Sequence, residues 1–105
     1  MNKYKVILSP TFRKMFKEHL NKYKYYSDVY CNNIEKKLYN AINLLKLFPY
    51  SLPIIKYKGI PQIYRKYIIK NRFLIIFKIV NNNVYLLYFI DGRQNPKKYF
   101  NLLKK

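Results

Sequence analysis

The sequence predicts one α+β domain in which an N-terminal strand and a two-helix hairpin pack on an antiparallel β-sheet. Three observations carry this prediction. Apolar residues recur at helical spacing over residues 10–48, β-type runs separated by Asn-rich turns fill residues 63–91, and a short alternating segment precedes both. With 105 residues, half of them hydrophobic, the chain has material for one core and not for two.

The elements follow in order. Tyr4, Val6 and Leu8 alternate with Lys3, Lys5 and Ile7, the period of a strand with one buried face. Ser9-Pro10 ends it, since serine is a good N-cap and proline suits the first helical position. Phe12, Phe16, Leu20 and Tyr23, with Met15 beside them, predict a helix over about residues 10–24. His19 falls on or next to that stripe and reads as a packing residue. Ser27-Asp28 offers a second cap, and Tyr30, Ile34, Leu38, Ala41, Leu45 and Phe48 follow at spacings of 4, 4, 3, 4 and 3 before Pro49 closes the helix.

Pro49, Pro53, Gly59 and Pro61 mark the next stretch as connecting chain, with a short strand expected at Ile54 to Tyr57. Ile63 to Lys70, Phe73 to Val80 and Val84 to Asp91 are rich in Ile, Val, Tyr and Phe and predict a three-stranded meander. Asn71-Arg72 and Asn81-Asn82-Asn83 separate the strands, and asparagine tolerates the positive φ of tight turns. The middle strand is apolar on both faces, as a central strand covered on both sides would be. Asp91 to Pro96 reads as a turn and Lys97 to Leu103 as a short helix.

Charge narrows the function. Lys and Arg number 22 against 4 Asp and Glu, a formal +18. Lys, Asn, Ile and Tyr, with 18, 12, 13 and 13 copies, all have AT-rich codons, so much of the lysine reflects codon bias. That bias does not remove acids. Residues 49–105 hold 12 basic residues and a single acid, Asp91, which makes the β half the better surface for a polyanion.

The inventory excludes much else. Cys31 is alone, so there is no internal disulfide, and no Cys/His cluster offers a metal site. No cofactor is expected, since no glycine-rich phosphate loop is present. The acids Glu18, Asp28, Glu35 and Asp91 show no spacing that pairs two of them on one site. No stretch reaches the roughly 20 apolar residues of a membrane span, nor does the start resemble a secretory leader. The chain reads as cytoplasmic, in a reducing compartment, with no membrane partner.

The four arginines, Arg13, Arg65, Arg72 and Arg93, stand out in a chain that otherwise uses lysine. Guanidinium grips phosphate with a planar fork and does not titrate near neutrality. Arg65 and Lys66 lie on the first strand of the meander, Arg72 in its first turn and Arg93 after its last strand. With Tyr64, Tyr67, Tyr88 and Tyr99 beside them, and Lys97 and Lys98 following, they suit RNA, whose unpaired bases stack on aromatic rings. A solvated basic rim is the competing reading.

The order of elements, with Leu8-Ser9-Pro10, Leu44 to Pro49, Tyr64-Arg65-Lys66, Phe73 to Phe77 and Asp91-Gly92-Arg93-Gln94-Asn95-Pro96, resembles the RelE/ParE superfamily of type II toxin–antitoxin and plasmid-stabilisation toxins. The resemblance spans the whole chain as a single domain and implies the RelE-like fold. It also implies a cognate antitoxin protein, usually wrapping the toxin with its C-terminal segment. Whether the chain is a homodimer or part of a toxin–antitoxin hetero-oligomer stays open.

Two targets are compatible with the resemblance. A RelE-like member would be an endoribonuclease that cleaves mRNA on the ribosome and blocks translation, with Arg65 acting at the 2′-OH, Arg93 holding the phosphate and Tyr99 or Phe100 as the C-terminal aromatic. Such cations stabilise charge developing on phosphate without titrating at neutral pH. Two positions depart from that pattern: Leu74 stands where RelE-like chains carry arginine, and Tyr67 where they carry a second basic residue. A ParE-like member, which poisons DNA gyrase, needs neither. A non-catalytic basic binding module is the third reading.

Overall fold

The computed structural model describes residues 3–93 and 96–104, with side chains from residue 98 onward in the last stretch. Gln94 and Asn95 of the expected turn, and the side chain of Lys97, lie outside the described residues. The elements are β1 (Lys5–Leu8), α1 (Pro10–Tyr23), α2 (Asp28–Leu47), a 3-10 turn (Pro49–Ser51), β2 (Tyr64–Ile69), β3 (Phe73–Val80), β4 (Asn83–Asp91) and α3 (Pro96–Leu103). The four strands form one sheet in the order β1-β4-β3-β2.

Local chemistry explains most boundaries. The Ser9 hydroxyl accepts from the Phe12 N–H at 3.0 Å and the Ser27 hydroxyl from the Tyr30 N–H at 3.0 Å, so both helices open on the expected caps. Asn71 and Asn81 hold φ values of 56° each in the two hairpin turns, as asparagine was expected to do. Lys70 shares the left-handed region at φ 54°, where a residue with a long side chain pays about 1 kcal/mol. The strand expected over Ile54 to Tyr57 is only a single bridge, Ile54 to Arg65, because the surrounding prolines deny it a continuous ladder.

The meander is antiparallel, and β1 joins it parallel to β4, with Lys5 beside Asn83 and Leu8 beside Leu86. A strand followed by a helical hairpin returns to the sheet through a crossover, which periodicity alone does not reveal. One residue breaks the regular pairing. Ile76 faces Tyr88 and Phe77 faces Leu86, so Leu87 is left over as a β-bulge.

The bulge reverses side-chain parity. Before it, Val84 and Leu86 point to the helices; after it, Phe89 and Asp91 do. Ser9 locks the arrangement: its N–H donates to the Leu86 carbonyl at 3.0 Å and its hydroxyl to the Leu87 carbonyl at 3.2 Å. The cap of α1 thus satisfies a carbonyl at the irregularity in β4.

Both faces of the sheet are covered, as the apolar middle strand required. On one face Phe12, Ile34, Leu38, Ala41 and Leu45 of the helices pack on Ile69, Phe73, Ile75, Phe77, Val84, Leu86 and Phe89. On the other, Ile76 and Ile90 lie under Ile55 and Ile60 of the connecting segment and Leu103 of α3, with Tyr64 in the same cluster. Phe48, the last expected stripe position, is 57% exposed because it has left the helix at φ −134°.

The double use of Ser9 sets up a comparison of the two caps. Ser27→Ala loses one capping bond and is expected to cost about 1 kcal/mol. Ser9→Ala also strands the Leu87 carbonyl, so it should cost about 2 kcal/mol. Urea denaturation midpoints of the two variants check this; equal losses would contradict the joint.

Candidate functional site

Asp91, the only acid of the β half, ends β4 across from Phe73 on the helical face. Its carboxylate sits between two arginines. Arg72 Nη2 donates to Asp91 Oδ2 at 3.0 Å and Nε reaches both oxygens at 3.4 Å. Arg93 donates through its backbone N–H to Oδ1 at 3.0 Å, and through Nη2 and Nε to the two oxygens at 3.3 and 3.4 Å. Burial raises the proton affinity of Asp91, but the arginine and backbone donors outweigh it and hold the carboxyl well below its usual range. Hydrogen bonds to Asp91 hold both guanidinium groups further into their charged form.

The turn that presents Arg72 is tightly built. Two successive left-handed residues, Lys70 and Asn71, bring the Arg72 N–H to the Ile69 carbonyl at 3.0 Å. The guanidinium then lies over the Phe73 ring at 4.6 Å. Gly92 donates its N–H to the Arg72 carbonyl, an approach so close that a Cβ at residue 92 would stand 2.5 Å from that oxygen. A glycine between Asp91 and Arg93 is therefore a steric requirement.

Helix α1 supplies the remaining wall. Arg72 Nη2 also donates to the Tyr23 hydroxyl at 3.4 Å, and this bond lowers the proton affinity of Tyr23. His19 shares a 2.8 Å hydrogen bond with the Tyr30 hydroxyl and packs among the rings of Tyr23, Tyr30, Phe73 and Phe89. Burial and, after it, the Arg72 charge push its pKa below 6.5, so the ring is neutral at pH 7. His19 is a packing residue that also lines a cleft of about 250 Å³ with Met15, Glu18, Lys22, Phe89 and Asp91.

The other expected site residues lie elsewhere. Arg65 faces Phe77 on the helical side, four residues along β3 from Phe73, or about 13 Å from the Asp91 row. Its Nη1 donates to the Leu52 and Tyr50 carbonyls while its guanidinium lies 5.1 Å from the Tyr50 ring, so it pins the connecting segment. Lys66 faces Ile76 and points to the opposite face. Tyr99 packs against the second core, where burial raises its proton affinity. Tyr64 is buried there too, whereas Tyr67 packs against the first core and Lys98 is exposed on α3. Leu74 lies across from Ile90, on the face turned away from α1 and α2.

The structure thus brings Arg72 and Arg93 together and leaves Arg65 and Tyr99 apart from them. Sequence reasoning missed Asp91 as their organiser, although its isolation among 12 basic residues, followed at once by Gly92-Arg93, was a signal. Among the described residues no group of three His, Cys, Asp or Glu side chains could hold a metal, and no helix is long and apolar enough to cross a membrane.

The architecture has clear relatives among solved structures. The chain is similar to a chain of the chromosomal ParDE TA system from P. aeruginosa, with 8% identity, 85% of this chain and 96% of that one covered, and a TM-score of 0.67. A chain of the E. coli DinJ-YafQ toxin–antitoxin complex matches with 15% identity, covering 87% and 94% of the two chains at a TM-score of 0.60. A conserved hypothetical protein of Helicobacter pylori matches at 21% identity, 86% and 96% coverage and a TM-score of 0.58. No protein family and no curated protein matches the sequence. The chain shares the α+β fold of these ParDE and DinJ-YafQ chains, with the order of elements expected from the sequence.

The carboxylate bracket has a pH signature. Its folded-state pKa is depressed, so Asp91 contributes its full stabilisation above the unfolded value of about 3.8, and that contribution is lost progressively as pH falls from there through the depressed folded value. The stability gap between the wild type and Asp91→Asn is expected to be widest near neutrality, to begin narrowing as pH approaches about 3.8 and to go on narrowing below it. A gap that is constant between pH 6 and pH 3, measured by urea denaturation, would contradict the bracket. Gly92→Ala should separately lower the denaturation midpoint, since the Arg72 carbonyl must move.

Proposed function

We propose that the chain is the toxin of a type II toxin–antitoxin module, held inactive by a cognate antitoxin and arresting growth by acting on ribosome-associated mRNA. The observation that carries the RNA reading is the arginine pair. Asp91 neutralises one of two charges and fixes the direction of both forks, while the Arg93 side chain remains 63% exposed. A guanidinium held in place yet open to solvent is suited to gripping a phosphate. Support for the antitoxin partner comes from the fold shared with chains of the ParDE system and the DinJ-YafQ complex, together with a +18 surface that attracts an acidic chain.

In this reading Arg93 holds phosphate and Arg72 positions it through Asp91. Arg65 also pins the connecting segment and Tyr99 packs on the second core, so both stand apart from the arginine pair. That separation favours the second reading on one count: with Arg65 and Tyr99 apart from the arginine pair and leucine at position 74, fewer groups converge for cleaving RNA, and a gyrase-directed toxin needs none of them. A binding module that blocks its target without cleavage is compatible with the same surface.

Induction of the chain without antitoxin separates the readings. The expected result is growth arrest with new mRNA 5′ ends inside reading frames, reduced at least tenfold by Arg93→Ala at equal protein level. Arrest with intact messages and altered plasmid supercoiling would replace the mRNA target by gyrase.

A further inference from the structure

The tip of the helical hairpin is built in a way the fold does not need. Tyr25 and Tyr26 are 91% and 83% exposed, the largest values among the exposed large hydrophobic residues described. Their backbone, by contrast, is fixed. The Tyr23 carbonyl accepts from the N–H groups of both Tyr26 and Ser27, at 3.0 and 3.1 Å, and Ser27 then caps α2. Two rings are thus carried into solvent on an anchored turn.

The surroundings give these rings a chemistry. Lys22 and Lys24 precede them in sequence and are exposed, with the Lys22 ammonium 5.7 Å from the Tyr23 ring centre, while Ser27 and Asp28 follow. Tyr23 in turn accepts from Arg72, which shares Asp91 with Arg93. The chain that carries the exposed rings is therefore tied, two residues before Tyr25, to the arginine pair through Tyr23. Rings alternating with cations match a polyanion whose monomers each carry one flat base and one phosphate.

We propose that Tyr25 and Tyr26 form a stacking platform for unpaired nucleotides at the end of α1 whose Tyr23 meets the Arg72–Asp91–Arg93 phosphate grip. A base stacks on each ring and the lysines neutralise the adjoining phosphates. This deepens the RNA reading above and rests on it. A duplex keeps its bases stacked on one another and so gains nothing from the rings.

Binding of the purified full-length chain to a labelled single-stranded oligoribonucleotide, and to the same strand annealed to its complement, tests this by fluorescence anisotropy. Tyr25→Ala/Tyr26→Ala should weaken single-strand binding about tenfold or more and leave duplex binding and the salt slope unchanged. Tyr25→Phe/Tyr26→Phe should bind like the wild type, because the ring and not the hydroxyl acts. Lys22→Gln/Lys24→Gln should weaken both forms and flatten the salt dependence. Because both tyrosines are exposed, an unchanged urea midpoint will show that the variants fold.

An unchanged single-strand affinity in the alanine variant, an equal loss on the duplex, or a loss in the phenylalanine variant would each overturn the platform. So would alanine substitutions that abolish antitoxin binding and spare RNA, since the rings would then belong to a protein interface. Arrest with intact messages would refute the mRNA target while leaving the oligonucleotide result to be judged independently.

Discussion

The site depends on a single extra residue in β4. Without the bulge at Leu87, the period-2 rule would send Phe89 and Asp91 to the face under α3, away from α1 and from the helical core. With it, Phe89 meets Phe12, Phe16, His19 and Phe73, and Asp91 reaches Arg72. Ser9 stabilises this irregularity from the start of α1, accepting from Phe12 and donating to Leu87. The junction between the first strand and first helix therefore governs geometry at the far end of the chain.

From that placement the electrostatics follow. Two guanidinium groups would repel if brought together alone, and a shared carboxylate makes their proximity tolerable. Partly exposed pairs of this kind contribute on the order of 1 kcal/mol or less each to stability, so their main effect is orientation. Arg72, with a side chain 24% exposed, is stacked on Phe73 and bonded to Tyr23, whereas Arg93 stays in solvent. One arginine is built into the fold and the other is presented by it.

Local signals in the sequence were legible wherever local chemistry decides structure. Ser9-Pro10, Ser27, Pro49, Asn71 and Asn81 act as caps, stops and turns in the places their chemistry indicates. Long-range pairing was harder to read. The parallel docking of β1 on β4, the bulge at Leu87 and the reduction of the Ile54 segment to one bridge arise from contacts between distant residues. For the site, charge and residue type singled out Arg72 and Arg93 but not their partner. For Arg65 and Tyr99 the sequence shows a guanidinium and a phenol, not the carbonyls of Tyr50 and Leu52 or the apolar cluster that engage them and set them apart from the arginine pair.

The central claim is that one carboxylate organises both arginines, and the ionisation of Asp91 reports on it directly. A carbon-13 NMR titration of the Asp91 carboxyl should show a midpoint well below 3.8 in the wild type and a return toward that value in the Arg72→Ala/Arg93→Ala variant. An ordinary midpoint in the wild type, or no change when both arginines are removed, would contradict it.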